Sequence, residues 1–211
     1  FYNINNLSLP TDAELDLIPL YEEMDIQSHS EVGTIGSFFS LIKPESRIAT
    51  IQSNRGCRAA CTFCNVRTFH GKGVRQRSVD SVIEELKMLK QSYGIDHVVW
   101  LDDDLLKNER RAAHLFNEMI KNNLNMTWDA TNGVIAKSLH NVEVVDAAEK
   151  SGCVGVNIGI ESGNPKILRD IRKPGTVDTF LKAAEVLSKF PKINTRSLLI
   201  IGFPNETFRM M

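Results

Sequence analysis

Three cysteines stand together as Cys57-x3-Cys61-x2-Cys64, within the segment Asn54-Arg55-Gly56-Cys57-Arg58-Ala59-Ala60-Cys61-Thr62-Phe63-Cys64-Asn65. A short loop with this spacing can wrap three thiolates onto one ion or one cluster. Structural zinc is normally closed by four ligands, and its two-cysteine knuckles arrive in pairs, so a local trio leaves a position open. An iron-sulfur cubane on three thiolates keeps one iron free for an external ligand, whereas electron-transfer ferredoxins close theirs with four cysteines. An open iron points to catalysis. Two readings of the sulfur set follow: a catalytic cluster on Cys57, Cys61 and Cys64, or a non-catalytic zinc or iron-sulfur module closed by Cys153. Cys153 sits in an apolar run, which also suits a small buried side chain.

Polar and glycine-rich stretches follow other apolar runs. Trp100-Leu101-Asp102-Asp103-Asp104 sets three acids in succession, whose mutual repulsion calls for a nearby cation or strong solvation. Gly159-Ile160-Glu161-Ser162-Gly163 carries a carboxylate able to accept hydrogen bonds from vicinal ribose hydroxyls. Ser162 and Asn164 there also suit helix capping. Gly202-Phe203-Pro204-Asn205-Glu206-Thr207 reads as a turn after the last apolar run. Arg55, Arg58, Arg67, Lys72, Arg75 and Arg77 put positive charge around the cysteine loop, where it can offset thiolates and a carboxylate. The histidines show no paired spacing and read as structural or surface residues.

The elements that must position these groups alternate. Short, often β-branched apolar runs at 48–52, 97–101, 126–130, 154–160 and 195–201 are separated by helix-length amphipathic segments. The first helix starts near Ser78, with Ser81 and Glu84 at capping-box spacing, and ends at Gly94. Asn108 caps the second; the third spans 142–150. Pro165 fits the first turn of the fourth, and Thr176 or Asp178 starts the fifth. Such βα units build either a doubly wound sheet or a barrel, and in both the ligands bind beyond the C-terminal strand ends. The cysteines, the acids and the glycine turns all follow such ends.

Residues 1–46, with Pro10, Pro19, Pro44 and an aperiodic stretch at 28–40, read as a mostly irregular leader or inter-domain linker ahead of a core at 47–211. The chain has 211 residues, with 25 Lys+Arg against 26 Asp+Glu. It is long enough for one buried core and has no global field toward nucleic acid or anionic membrane. No apolar stretch nears the ~20 residues of a membrane span, and the N-terminus lacks signal-peptide order. Clustered cysteines suit a reducing compartment, so a cytoplasmic location is expected. A start at Phe1 and an end just after the last run predict a fragment of a longer polypeptide, with the core incomplete at its C-terminal side.

The trio Cys57-x3-Cys61-x2-Cys64, with aromatic Phe63 before the last cysteine, resembles the signature of the radical S-adenosylmethionine (radical SAM) superfamily. The resemblance implies a four-iron four-sulfur cluster that chelates S-adenosylmethionine and cleaves it reductively to a 5′-deoxyadenosyl radical. Hydrogen abstraction from an unknown small-molecule or peptide substrate, or its radical methylation, would follow. It also implies a full or partial (β/α) barrel, commonly of six units, of which five are present. Asp102 and Asp103 would face the methionyl ammonium, and Glu161 and Ser162 the ribose. The strand end at Gly202 would approach adenine, with Asn205 where the family usually has Gly. Lys173 and Arg196 become carboxylate candidates. The Asp102-Asp103 pair is similar to members that carry a cobalamin domain, and the leader resembles their connector, so cobalamin would bind through a domain absent from this chain. A low-potential donor such as a flavodoxin or ferredoxin is the implied partner. A nucleic-acid partner is not favoured, because the basic run lacks interleaved stacking aromatics.

Overall fold

Each of the five apolar runs becomes a strand, and all five join in one parallel sheet. The computed structural model describes residues 11–26 and 36–211, so part of the leader, including most of the 28–40 stretch, lies outside the described residues. The leader contributes α1 (Asp12–Leu15) and single 3-10 turns at Tyr21–Glu23 and Phe39–Leu41. There follow β1 (Ile48–Ile51), β2 (Asn54–Arg55), α2 (Val66–Phe69), β3 (Arg75–Gln76), α3 (Val79–Tyr93), β4 (His97–Trp100) and α4 (Glu109–Lys121). The chain continues with β5 (Thr127–Val134), a 3-10 turn at Ala136–His140, α5 (Val142–Lys150), β6 (Cys153–Glu161), α6 (Pro165–Asp170), α7 (Val177–Leu187) and β7 (Asn194–Leu199).

The large sheet runs β1-β4-β5-β6-β7 with every neighbouring pair parallel, while β2 and β3 form a separate two-stranded antiparallel ribbon. Strand order in the large sheet follows chain order without reversal. A doubly wound sheet reverses its order at a switch point, so this progression is that of a partial barrel.

Helix ends obey local chemistry. Ser78, not Ser81, caps α3 by accepting from the Ser81 N–H, and Gly94 closes the helix in the left-handed region. Ser81 lies inside the helix, where its hydroxyl donates to the Asp16 carbonyl at 2.8 Å and ties the leader to α3. Asn108, Asn141 and Asn164 cap α4, α5 and α6, and Thr176 forms a reciprocal box with Thr179 at α7.

Side chains alternate across the sheet. Val98, Trp100, Trp128, Ala130, Val156 and Ile158 pack with the helices in one hydrophobic cluster, and Trp128 stacks on Phe116 with centroids 4.9 Å apart. The opposite face sets buried polar side chains beside Val99. His97 Nε2 lies 3.1 Å from Asp129 Oδ2, and Thr131 donates to Asp129 Oδ1 at 2.6 Å. Into this face the leader inserts residues 36–38. The Ser37 N–H donates to Thr131 Oγ1 at 2.6 Å, and Asn157 Nδ2 donates to Ser37 Oγ at 2.7 Å. Phe38 is fully buried beside Gly155, with the Arg196 guanidinium 5.1 Å from its ring centroid. Residues 36–38 of the leader thus sit on the inner face of the sheet. Among the described residues no helix is long and apolar enough to cross a membrane.

Candidate functional site

Beyond the C-terminal strand ends lies a cavity of about 190 Å³ lined by Cys57, Cys61 and Cys64 together with Asp103, Glu161 and Lys173. Its remaining wall includes Asn132–Ile135 at the end of β5, and Phe63, Pro174 and Leu198. Asn132 and Gly133 were hidden from sequence reading: the Thr131-Asn132-Gly133 stretch looks like a turn, but β5 continues through it to Val134.

All four cysteines are free thiols; Cys57 and Cys61 are half-buried and Cys64 is exposed. Burial pushes the Cys57 thiol up to about 11, assisted by the Asp104 charge and the two neighbouring sulfurs. Burial also raises Cys61, against the opposing charge of Lys173. Binding of a metal centre must therefore displace protons from these sulfurs. The donor set fits a three-thiolate cluster. In a cubane each thiolate takes a different iron, so the sulfurs need to share a cavity rather than meet at one point. Among the described residues no three His, Cys, Asp or Glu side chains converge as a single ion would require.

Cys153 cannot complete this set. It opens β6, whereas Glu161 ends it on the cavity wall, and eight residues of strand at about 3.3 Å each separate the two by roughly 26 Å. Cys153 is 3% exposed, and burial holds its thiol far above the ordinary range. The reading in which Cys153 closes a zinc site is set aside by its position.

The three successive acids point to three places. Asp102 is 1% exposed and accepts from the Ser53 N–H at 2.9 Å and the Ser53 hydroxyl at 2.6 Å. Burial raises its carboxyl to about 6, against those hydrogen bonds and the Arg111 charge. Asp103 reaches the cavity, accepts from the Gly56 N–H at 2.9 Å, and lies 3.6 Å from His70 Nε2. Asp104 is fully buried and pairs with Arg58, Nε to Oδ2, at 2.9 Å. Both oxygens of Asp102, expected to face a cofactor, are engaged with Ser53, and the residue does not line the cavity.

Glu161 has φ 65°, the left-handed region that non-glycine residues seldom adopt. The turn carries its carboxylate to Lys173 Nζ at 2.9 Å, with both side chains mostly buried. Ser162 and Gly202 stand outside the lining. Ser162 Oγ accepts from the Asn164 N–H at 3.1 Å, a local turn contact, and the Gly202 N–H donates to Glu206 Oε2 at 2.7 Å. Of the residues expected to meet a cofactor, the structure brings Asp103, Glu161 and Lys173 to the cavity of the thiols, while Arg196 lies over Phe38. The pairing of Lys173 with Glu161, twelve positions away, depends on the turn at Glu161 and has no sequence signal.

Comparison with known proteins identifies relatives of the chain. An uncharacterized methyltransferase of Pyrococcus horikoshii is 36% identical over 157 residues, covering 74% of this chain and 33% of that protein. The cytidylyl-2-hydroxyethylphosphonate methyltransferase of Streptomyces wedmorensis is 29% identical over 198 residues, covering 91% of this chain and 35% of that protein. The chain therefore spans about a third of the length of the curated relatives it matches. Among solved structures, the radical S-adenosylmethionine methyltransferase TsrM of Kitasatospora setae, with cobalamin and a [4Fe-4S] cluster bound, superposes with a TM-score of 0.67 at 20% identity. That match covers 78% of this chain and 33% of TsrM. The model of the radical SAM superfamily matches residues 51–211, most of the chain and all of the cavity wall, and the chain belongs to that superfamily.

Proposed function

We propose that this chain is the catalytic core of a radical SAM enzyme, with Cys57, Cys61 and Cys64 as ligands of a four-iron four-sulfur cluster. The observation that carries the reading is one cavity wall shared by three thiols of a single loop and the Glu161–Lys173 ion pair. When bound, the cluster and S-adenosylmethionine supply reductive cleavage of a carbon–sulfur bond, and with it hydrogen abstraction or radical methylation.

The chain's own residues bind and orient. Glu161 presents a carboxylate to the cavity that can accept from vicinal hydroxyls, while Lys173 offers a cation for a carboxylate. Val134, Ile135, Pro174 and Leu198 supply the apolar remainder of the wall, suited to a nucleoside face and to excluding water.

The methyltransferase names of the relatives and the cobalamin in TsrM support methyl transfer as the reaction, with cobalamin held by a domain beyond residues 1–211. The relatives' greater length leaves room for one. Residues 1–46 then act as its connector to the core at 47–211. The electron comes from a low-potential donor such as a flavodoxin or ferredoxin, and four free thiols suit the reducing cytoplasm.

The test is anaerobic reconstitution with iron and sulfide, followed by an electron paramagnetic resonance titration with S-adenosylmethionine. A cluster signal that shifts on titration supports the reading. Uptake of zinc instead of iron and sulfide, or a signal indifferent to the cofactor, overturns it.

A further inference from the structure

The segment that delivers Cys57 leaves the large sheet at Ile51 and has little regular structure to hold it. Only Asn54 and Arg55 pair with β3, and Gly56 turns away at φ 94°, so close to the Gly73 carbonyl that a Cβ would lie 2.4 Å from its oxygen. Besides the Arg77 N–H, which donates to the Ser53 carbonyl at 3.0 Å, this segment is fixed by the acid run some fifty residues later. Asp102 takes the N–H and hydroxyl of Ser53, and Asp103 takes the N–H of Gly56. Asp104 takes Arg58 through its carboxylate, and Asn54 Nδ2 through its backbone carbonyl at 3.1 Å. Residues 53, 54, 56 and 58 thus all hang on residues 102–104.

We infer that Asp102, Asp103 and Asp104 are positioning residues that set the place of Cys57 by holding Ser53, Gly56 and Arg58 of its loop. The inference rests on the proposed reading of Cys57 as a cluster ligand. Two buried carboxylates need compensation, and each has a cation at hand. Arg58 pairs with Asp104, and Arg111 closes over Ser53, reaching its carbonyl at 3.2 Å and its hydroxyl at 3.4 Å. Helix capping does not account for Asp104, because Asn108 fills that role for α4. Asp103 holds the loop through the Gly56 N–H, which needs an acceptor oxygen that Ala lacks and Asn retains.

The experiment compares the wild-type chain with Asp103→Ala and Asp103→Asn. Amide hydrogen exchange at Gly56 is measured in the metal-free proteins, and the resonance spectrum is recorded after reconstitution. A positioning role predicts that Asp103→Ala speeds Gly56 exchange about tenfold, the worth of one lost hydrogen bond, and alters the cluster spectrum. Asp103→Asn, which keeps an acceptor oxygen, then restores both. Should Asp103→Ala leave Gly56 exchange unchanged, or Asp103→Asn fail to restore it, the inference is overturned. If Asp103→Ala does not fold, Asp103→Asn still decides, because its Gly56 exchange must stay at the wild-type rate. Wild-type protein that takes up no iron and sulfide removes the functional reading, while the exchange measurement still decides whether the acids hold the loop.

Discussion

The Lys173 ammonium meets the Glu161 carboxylate at 2.9 Å directly over the backbone of Gly159, in space that no other residue at 159 would leave free. A Cβ there would stand 2.5 Å from Glu161 Oε1 and 2.8 Å from Lys173 Nζ. The ion pair and the glycine are one device on the cavity wall.

Gly159→Ala follows from that contact. The displaced atoms are the far ends of two long side chains, so the fold yields easily and urea unfolding changes by less than about 1 kcal/mol. The pair must still move. Affinity for S-adenosylmethionine, titrated on the reconstituted protein, is expected to fall about tenfold, the loss of one to two hydrogen bonds.

Glu161→Gln keeps the shape and removes the charge. Iron and sulfide content remain those of the wild type, since the side chain touches no thiol loop backbone, while cofactor affinity falls about tenfold or more. Unchanged affinity would remove Glu161 from the site.

Cys61→Ala is expected to abolish the brown chromophore and cofactor cleavage together. Cys153→Ala, at the other end of β6, is expected to keep both and to cost about 1 kcal/mol of stability through its buried vacancy. Loss of metal binding in the second variant would restore Cys153 as a ligand.

Asp102 gives a pH signature. Its folded carboxyl titrates at about 6, above the ordinary value of 3.8, so the native state holds that proton more tightly than the unfolded chain. The stabilisation it contributes is full below about pH 4 and is lost as pH rises through 6, in all about 3 kcal/mol. Urea unfolding of the metal-free wild type, referred at each pH to Asp102→Asn, should therefore weaken by that amount between pH 4 and 7. A difference that is flat across this window would contradict the burial of Asp102.

The strand and helix rhythm was legible because apolar alternation and capping residues are local signals, and Cys57, Cys61 and Cys64 fell where such a rhythm puts ligands. Three features were not. β5 runs past Ala130 through an irregularity, in which Thr131, Asn132 and Gly133 bulge out between the paired Ala130 and Val134 with Gly133 at φ 96°, so the turn-forming residues bend the strand without ending it. The direction of Asp102 depends on Ser53, 49 residues away. Phe38 carries no periodicity at all, since a single aromatic ring in an irregular stretch is buried only by what the remote strands offer.

That ring also dictates an order of assembly. Ser37 and Asn157 are 120 residues apart in sequence, and the strand beneath Phe38 is fourth of five to be synthesised. The earliest part of the described chain to reach the barrel interior must wait, solvated, for most of the polypeptide to appear. Contacts of such long range slow folding, and the inner face around Thr131 and Asn157 stays open to solvent until residues 36–38 are in place.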